Sequence, residues 1–169
     1  MSGLKGRERL QPSLLDRLTD HSPSAKRDAP DQQVLTLPQL RQAVLRDIAA
    51  LLNTTNLESI EDFSDAPGAA KSTLNFGIPG LAGLLDTSTR VNRLEEELAN
   101  AIRTFEPRIR GESLKVRARA ADDSGGLPAL LFEIEGELWA QPVPIQLFLE
   151  TKIEVETRLA VVTEVKGAH

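Results

Sequence analysis

Residues 88–119 read STRVNRLEEELANAIRTFEPRIRGESLKVRAR, and within this stretch the hydrophobic period changes from that of a helix to that of a strand. Val91, Leu94, Leu98, Ile102 and Phe105 recur at spacings of three and four, with Arg93, Glu95, Glu96, Glu97 and Arg103 on the other side. This spacing predicts an amphipathic helix over about 88–105. Pro107 stops it, since proline has no N–H to continue the ladder. Beyond the stop, Leu114, Val116 and Ala118 alternate with Lys115, Arg117 and Arg119, the period of a strand with one face buried.

Toward the C-terminus the alternation continues. Leu130, Phe132, Ile134 and Leu138 alternate with Glu133, Glu135 and Glu137, and Asp122-Asp-Ser-Gly-Gly126 supplies a turn between the two strands. The hairpin sets a basic outer face beside an acidic one, where each opposite-charge pair contributes about 0.2–1 kcal/mol at most. After Gln141-Pro-Val-Pro144, apolar residues at Ile145, Leu147, Leu149, Ile153, Val155, Leu159 and Val161 alternate for longer than one strand. The chain is expected to fold back near Glu156-Thr157-Arg158, although no glycine marks the place.

Toward the N-terminus, Thr36 and Gln39 match a capping box with Pro38 in the first turn, and Leu37, Leu40, Val44, Ile48 and Leu51 line one face of the helix that follows. Residues 53–86 are weakly patterned, which predicts irregular structure with one helical turn. Leu74, Phe76, Ile78, Leu81 and Leu84 within them are expected to cover the core. The fold class is α+β: N-terminal amphipathic helices followed by an antiparallel sheet of about four strands.

Ahead of this domain, Leu4, Leu10, Leu14, Leu15 and Leu18 recur at roughly helical spacing, so Pro12 to Thr19 reads as a short amphipathic helix. The stretch from His21 to Gln33 has prolines, charge and no large apolar group to bury. The expected organisation is an N-terminal docking helix over 1–19, a flexible linker over 20–35 and a single domain over 36–169.

The 169 residues carry 25 acidic and 20 basic side chains, a net charge of −5, which argues against a general nucleic-acid binder. No cysteine occurs, which excludes disulfides, thiolate zinc sites and cysteine nucleophiles. Residues 1–18 lack an unbroken apolar stretch of signal length, and no run could span a bilayer, so a cytoplasmic protein without direct membrane insertion is expected.

Glu133, Glu135 and Glu137 raise the possibility of glycoside hydrolysis, since alternate strand residues lie about 6.6–7 Å apart, near the carboxylate spacing of inverting enzymes. Any strand with acids at every second position gives that distance, and their alternation with apolar residues marks a water-facing side. His21 sits in the linker and His169 at the chain end, neither held beside a nucleophile. Gly77-Ile-Pro-Gly80 and Gly125-Gly126 lack the setting of phosphate-binding loops. The basic cluster Arg103, Arg108, Arg110, Lys115, Arg117 and Arg119 has no aromatic stacking partners of the kind RNA recognition uses. No catalytic, cofactor or metal residue is assigned, and the chain is read as a non-enzyme.

Phe105-Glu-Pro-Arg108, closing an amphipathic helix before a strand, resembles a signature of TssE-type proteins and of the wider phage baseplate wedge family (the GPW type, historically labelled lysozyme-like). Ser13-Leu-Leu-Asp-Arg-Leu18, Leu45-Arg-Asp-Ile-Ala-Ala-Leu-Leu-Asn53, Leu74-Asn-Phe-Gly-Ile-Pro79 and Glu135-Gly-Glu-Leu-Trp139 align in the same order. The resemblance implies a fold similar to the handshake part of contractile-sheath subunits. It also implies a structural role in a type VI secretion baseplate, with TssF, TssG and TssK as wedge partners and TssB and TssC as sheath partners. The absent glycine in the last turn departs from the family pattern.

The partner contacts implied for the tripeptide fall on Glu106 and Arg108, which Pro107 presents on a fixed frame. Leu14, Leu15 and Leu18 of the docking helix are the other expected partner-binding residues. Both charges are expected to be free for a partner, so that Arg108→Glu would leave the fold intact. Alternative readings are a generic phage-tail-like baseplate protein and, from a different class, a carbohydrate-cleaving enzyme.

Overall fold

A helix with one apolar stripe and a sheet with one apolar face can each bury that surface only against the other. The computed structural model describes residues 13–19, 24, 36–80, 88–119, 129–139, 144–154 and 157–165. It contains helices α1 (Leu14–Leu18), α2 (Leu37–Leu52) and α3 (Ser88–Phe105), then strands β1 (Lys115–Arg119), β2 (Ala129–Leu138), β3 (Ile145–Glu154) and β4 (Ala160–Glu164). The strands form one antiparallel sheet in the order β1-β2-β3-β4, as the α+β reading expects.

Val44, Ile48 and Leu51 of α2 and Leu94, Leu98 and Ile102 of α3 share one core with Phe132, Ile134, Leu147, Leu149 and Ile153 of the sheet. The opposite face carries the charges. Lys115 stands opposite Glu135 and Arg117 opposite Glu133, and the guanidinium of Arg119 reaches diagonally to Glu133 at 2.7 Å. The capping box holds at the start of α2, where Gln39 Oε1 accepts from both the N–H and the hydroxyl of Thr36 at 2.8 Å.

Residues 53–80 form three single 3-10 turns, at Leu57–Ser59, Ala69–Lys71 and Thr73–Asn75, where one helical turn was expected. Ile78 is buried, and Phe76 meets Phe105 edge-on with ring centroids 5.3 Å apart. Leu74 is exposed instead of covering the core. Its neighbour Asn75 turns inward in the same short turn, accepting from Glu58 N–H at 2.9 Å and donating to Ala70 C=O at 3.0 Å. Leu81, Leu84 and the turn at 122–126 lie outside the described residues.

The last strand inverts the expected alternation. Ala160 and Val162 pack toward the core, whereas Leu159 and Val161 are exposed. The reason is the turn: Arg158 adopts φ 58°, supplying the left-handed residue that a glycine would have signalled, and the register then sets Ala160 opposite Ile153. Asn53, which ends α2, locks Ala160 by donating to its C=O and accepting from its N–H, both at 2.9 Å.

Gly77 is the tightest backbone position in the irregular region. Around it, Ile78 N–H donates to Thr54 C=O at 2.8 Å and Asn56 N–H to Ile78 C=O at 2.9 Å. With φ 130° at Gly77, a Cβ would stand 2.4 Å from the Thr54 carbonyl oxygen. Gly77→Ala should therefore lower stability by about 2–3 kcal/mol, through strain and a backbone clash together. Urea unfolding of the two proteins checks this, and an unchanged midpoint would contradict the packing around residue 77.

Candidate functional site

The helical ladder of α3 ends with Glu106 N–H donating to Ile102 C=O at 2.8 Å, and Ile109 N–H then donates to Glu106 C=O at 3.1 Å. Between them Pro107 is exposed, while Glu106 is only 3% exposed. A buried carboxylate needs compensation, and Arg108 provides it. Glu106 Oε1 accepts from the Arg108 backbone N–H at 3.1 Å and from Arg108 Nε at 2.6 Å, and Oε2 accepts from Arg108 Nη2.

Arg108 Nη2 also donates to Asp47 Oδ2 on α2 at 2.5 Å. Burial works against the Arg108 cation, but Glu106 and Asp47 outweigh it and raise its pKa above the ordinary arginine value. Arg108 Nη1 is buried and has no acceptor among the described residues. The expectation of two charges free for a partner is thus corrected: both are engaged within the molecule. Arg108→Glu would set three carboxylates, at 47, 106 and 108, against one another, so it would disturb the fold before any interface.

The network continues to the N-terminal helix. Asp47 Oδ1 accepts from Arg46 Nε at 2.8 Å, and Arg46 Nη1 donates to Asp16 Oδ1 at 2.6 Å. Asp16 also accepts from the hydroxyl of its own capping residue, Ser13, at 2.7 Å. Burial raises the Asp16 pKa, but the hydrogen bonds from Arg46 and Ser13 outweigh it and leave the carboxyl below its ordinary value. Leu15 and Leu18 of α1 are 57% and 73% exposed. Leu14 belongs to the same helix, and its side chain lies outside the described residues.

Sequence reasoning missed Asp16, Arg46 and Asp47. One signal was present: Asp47 lies three residues after Val44 and one before Ile48, so an acid borders the apolar stripe of α2. Trp139, exposed at the end of β2, donates its backbone N–H to Arg108 C=O at 2.7 Å, beside the same turn.

Glu133, Glu135 and Glu137 lie on the open face of the sheet, where Arg119, Lys115 and Arg110 pair with them. Two clefts among the described residues, one lined by Glu58, Ile60 and Phe63 and the other by Leu52, Thr54 and Arg158, contain none of these three acids. His21 and His169 are outside the described residues.

A family model described as baseplate wedge protein gp25 matches residues 38–143, well over half of the chain. The chain belongs to the gp25 baseplate wedge family. The match runs from the first turn of α2 past the end of β2, and so contains Asp47, the Glu106-Pro107-Arg108 turn and Trp139 of this gp25-family protein. No curated protein sequence matches it. Among solved structures it is similar to a Geobacter sulfurreducens chain described as a candidate tail lysozyme, with 17% identity and a TM-score of 0.44 over 80% of this chain and 100% of that one.

Two predictions follow the geometry. Glu106→Gln keeps the shape but removes the charge that Arg108 faces, and should lower stability by about 2–3 kcal/mol in chemical denaturation. An unchanged midpoint would mean that the pair adds nothing. For Asp16, a folded pKa below the unfolded one means that its pairing stabilises the docked helix above the ordinary carboxylate value near 3.9 and is lost as pH falls through the depressed folded value. Carboxyl-carbon NMR should place the Asp16 midpoint below about 3.9. A midpoint at or above that value would remove the Arg46 contact from the account.

Proposed function

We propose that this gp25-family chain is a structural, non-catalytic subunit of a type VI secretion baseplate, of TssE type, acting in the cytoplasm. In this reading it joins the wedge proteins TssF and TssG, near TssK, to the first ring of sheath subunits TssB and TssC. Residues 36–169 form the wedge domain, and residues 1–19 form a docking segment tethered through 20–35. Glu106, Pro107, Arg108, Leu14, Leu15 and Leu18 contribute to partner contacts: the two charges set the shape of the turn, while Pro107, Leu15 and Leu18 offer exposed surface.

The observation that carries this reading is the junction at the end of α3. The pair of buried Glu106 and half-buried Arg108 fixes a proline-centred turn to two helices and to the sheet, a rigid mount for a protein contact. The resemblance to TssE-type sequences favours type VI secretion over a generic phage-tail-like baseplate, and the pairing of Glu133, Glu135 and Glu137 with basic neighbours favours a structural role over carbohydrate cleavage. No described helix is long and apolar enough to cross a membrane.

Co-expression with TssF, TssG and the sheath subunits tests the assignment. The wild-type chain should co-purify with the TssF–TssG pair, and Leu18→Asp, at an exposed position, should weaken that capture without moving the melting temperature. The purified chain should release no more soluble peptidoglycan than buffer does. Turnover that disappears in Glu135→Gln would replace the structural reading with an enzymatic one.

A further inference from the structure

We infer that α1 and the Glu106-Pro107-Arg108 turn form one docking surface, joined through Arg46 and Asp47, for a partner chain that offers an apolar groove with a carboxylate on its rim. This inference rests on the wedge reading and adds Arg46 and Asp47 to the surface. The elements are far apart in sequence, but charges of alternating sign connect them. Asp16 meets Arg46 at 2.6 Å, Arg46 meets Asp47 at 2.8 Å, Asp47 meets Arg108 at 2.5 Å, and Arg108 meets Glu106.

The size of α1 points the same way. Leu15 and Leu18 stand three residues apart on a five-residue helix, so they present one small apolar side. A stable interface buries about 800 Å² on each partner, more than such a helix offers. The contact must continue onto neighbouring surface, and Asp16 fixes which surface that is: the exposed flank of α2 at Arg46 and the turn with exposed Pro107.

Charge decides the rim of the groove. Of the five charged groups, Arg46 has the most exposed side chain, at 45%, whereas Asp16 and Asp47 are at 15% and 27%. Arg46 Nε and Nη2 face Asp47 and Nη1 faces Asp16, which takes three of the five guanidinium N–H donors and leaves two on a side chain that is 45% exposed. A carboxylate beside the groove meets them in the bidentate manner that arginine favours. The leucines enter the groove as anchors of a helix-in-groove contact.

The test measures the affinity of the full chain for the purified TssF–TssG pair in four forms: wild type, Arg46→Gln, Leu18→Asp and both together. Each single substitution should weaken binding about tenfold or more. The double should be no more than about threefold weaker than the weaker single, because releasing α1 already removes its leucine from the surface. Full affinity of Arg46→Gln, or a double whose loss is the product of the singles, overturns the inference.

A second arm needs no partner. The natural sequence has no cysteine, so nitroxide labels can be placed cleanly at Thr19→Cys and Ala50→Cys. One narrow distance that broadens on Arg46→Gln supports the joined surface, and an unchanged distribution overturns it. If wild type fails to bind the TssF–TssG pair while the labels behave as expected, the wedge reading falls and the ion-paired surface stands.

Discussion

The carboxylate of Glu106 constrains more of this molecule than any other single group. It is buried where α3 ends and the chain turns toward the sheet, and an ionised acid in that position is tolerable only with its donors in place. Arg108, two residues on, supplies both a backbone N–H and a guanidinium, and Asp47 holds the far side of that guanidinium from α2. Pro107 stands between them with a fixed φ, so acid and base reach the same side of the turn. The segment then pairs with the end of β2, through backbone Arg110 N–H to Glu137 C=O at 2.9 Å and backbone Trp139 N–H to Arg108 C=O at 2.7 Å. Two ion pairs at Arg108, together with these backbone bonds, thus tie the end of α3 to α2 and to the sheet.

The parts of the fold that the sequence made legible are those where one period dominates. α3 spans Ser88–Phe105 as Val91, Leu94, Leu98, Ile102 and Phe105 predict, and the switch to alternation at Leu114 marks the sheet. In these segments side-chain burial decides the backbone, so hydrophobic spacing is enough. The legible part of the site was the turn itself, because proline and its neighbours are local. Asp47 was not legible in this sense. Its role depends on how α2 crosses the end of α3, and such a tertiary relation leaves only a weak trace, an acid at the margin of an apolar stripe.

Two other departures have the same origin. Arg158 takes a left-handed conformation that local sequence assigns to glycine, and the turn it makes shifts β4 so that Ala160 and Val162, and not Leu159 and Val161, face inward. The bidentate grip of Asn53 on Ala160 holds that register from outside the sheet. In residues 53–80, backbone bonds between Thr54, Asn56 and Ile78 and the buried amide of Asn75 replace hydrophobic periodicity as the organising force. Neither kind of contact repeats along the chain, so neither gives a period to read.

A four-stranded sheet with helices on one face leaves two edges and one open face, each a potential site of unwanted pairing. Here each is guarded by charge or by a side chain. Edge strand β1 carries Lys115, Arg117 and Arg119, and the open face matches basic against acidic residues. On β4, Asn53 occupies the backbone groups of Ala160 and Arg41 pairs with Glu164. Such surface pairs add little to stability, on the order of 0–1 kcal/mol each, and a partly buried network such as Glu106-Arg108-Asp47 is no more stabilising than apolar packing of the same volume. What they supply is direction: an arginine fork has a fixed geometry, so it sets the angle between the elements it joins where packed methyl groups would allow several. Three of the exposed apolar side chains, Leu15, Leu18 and Trp139, lie beside the elements whose orientation these charges set.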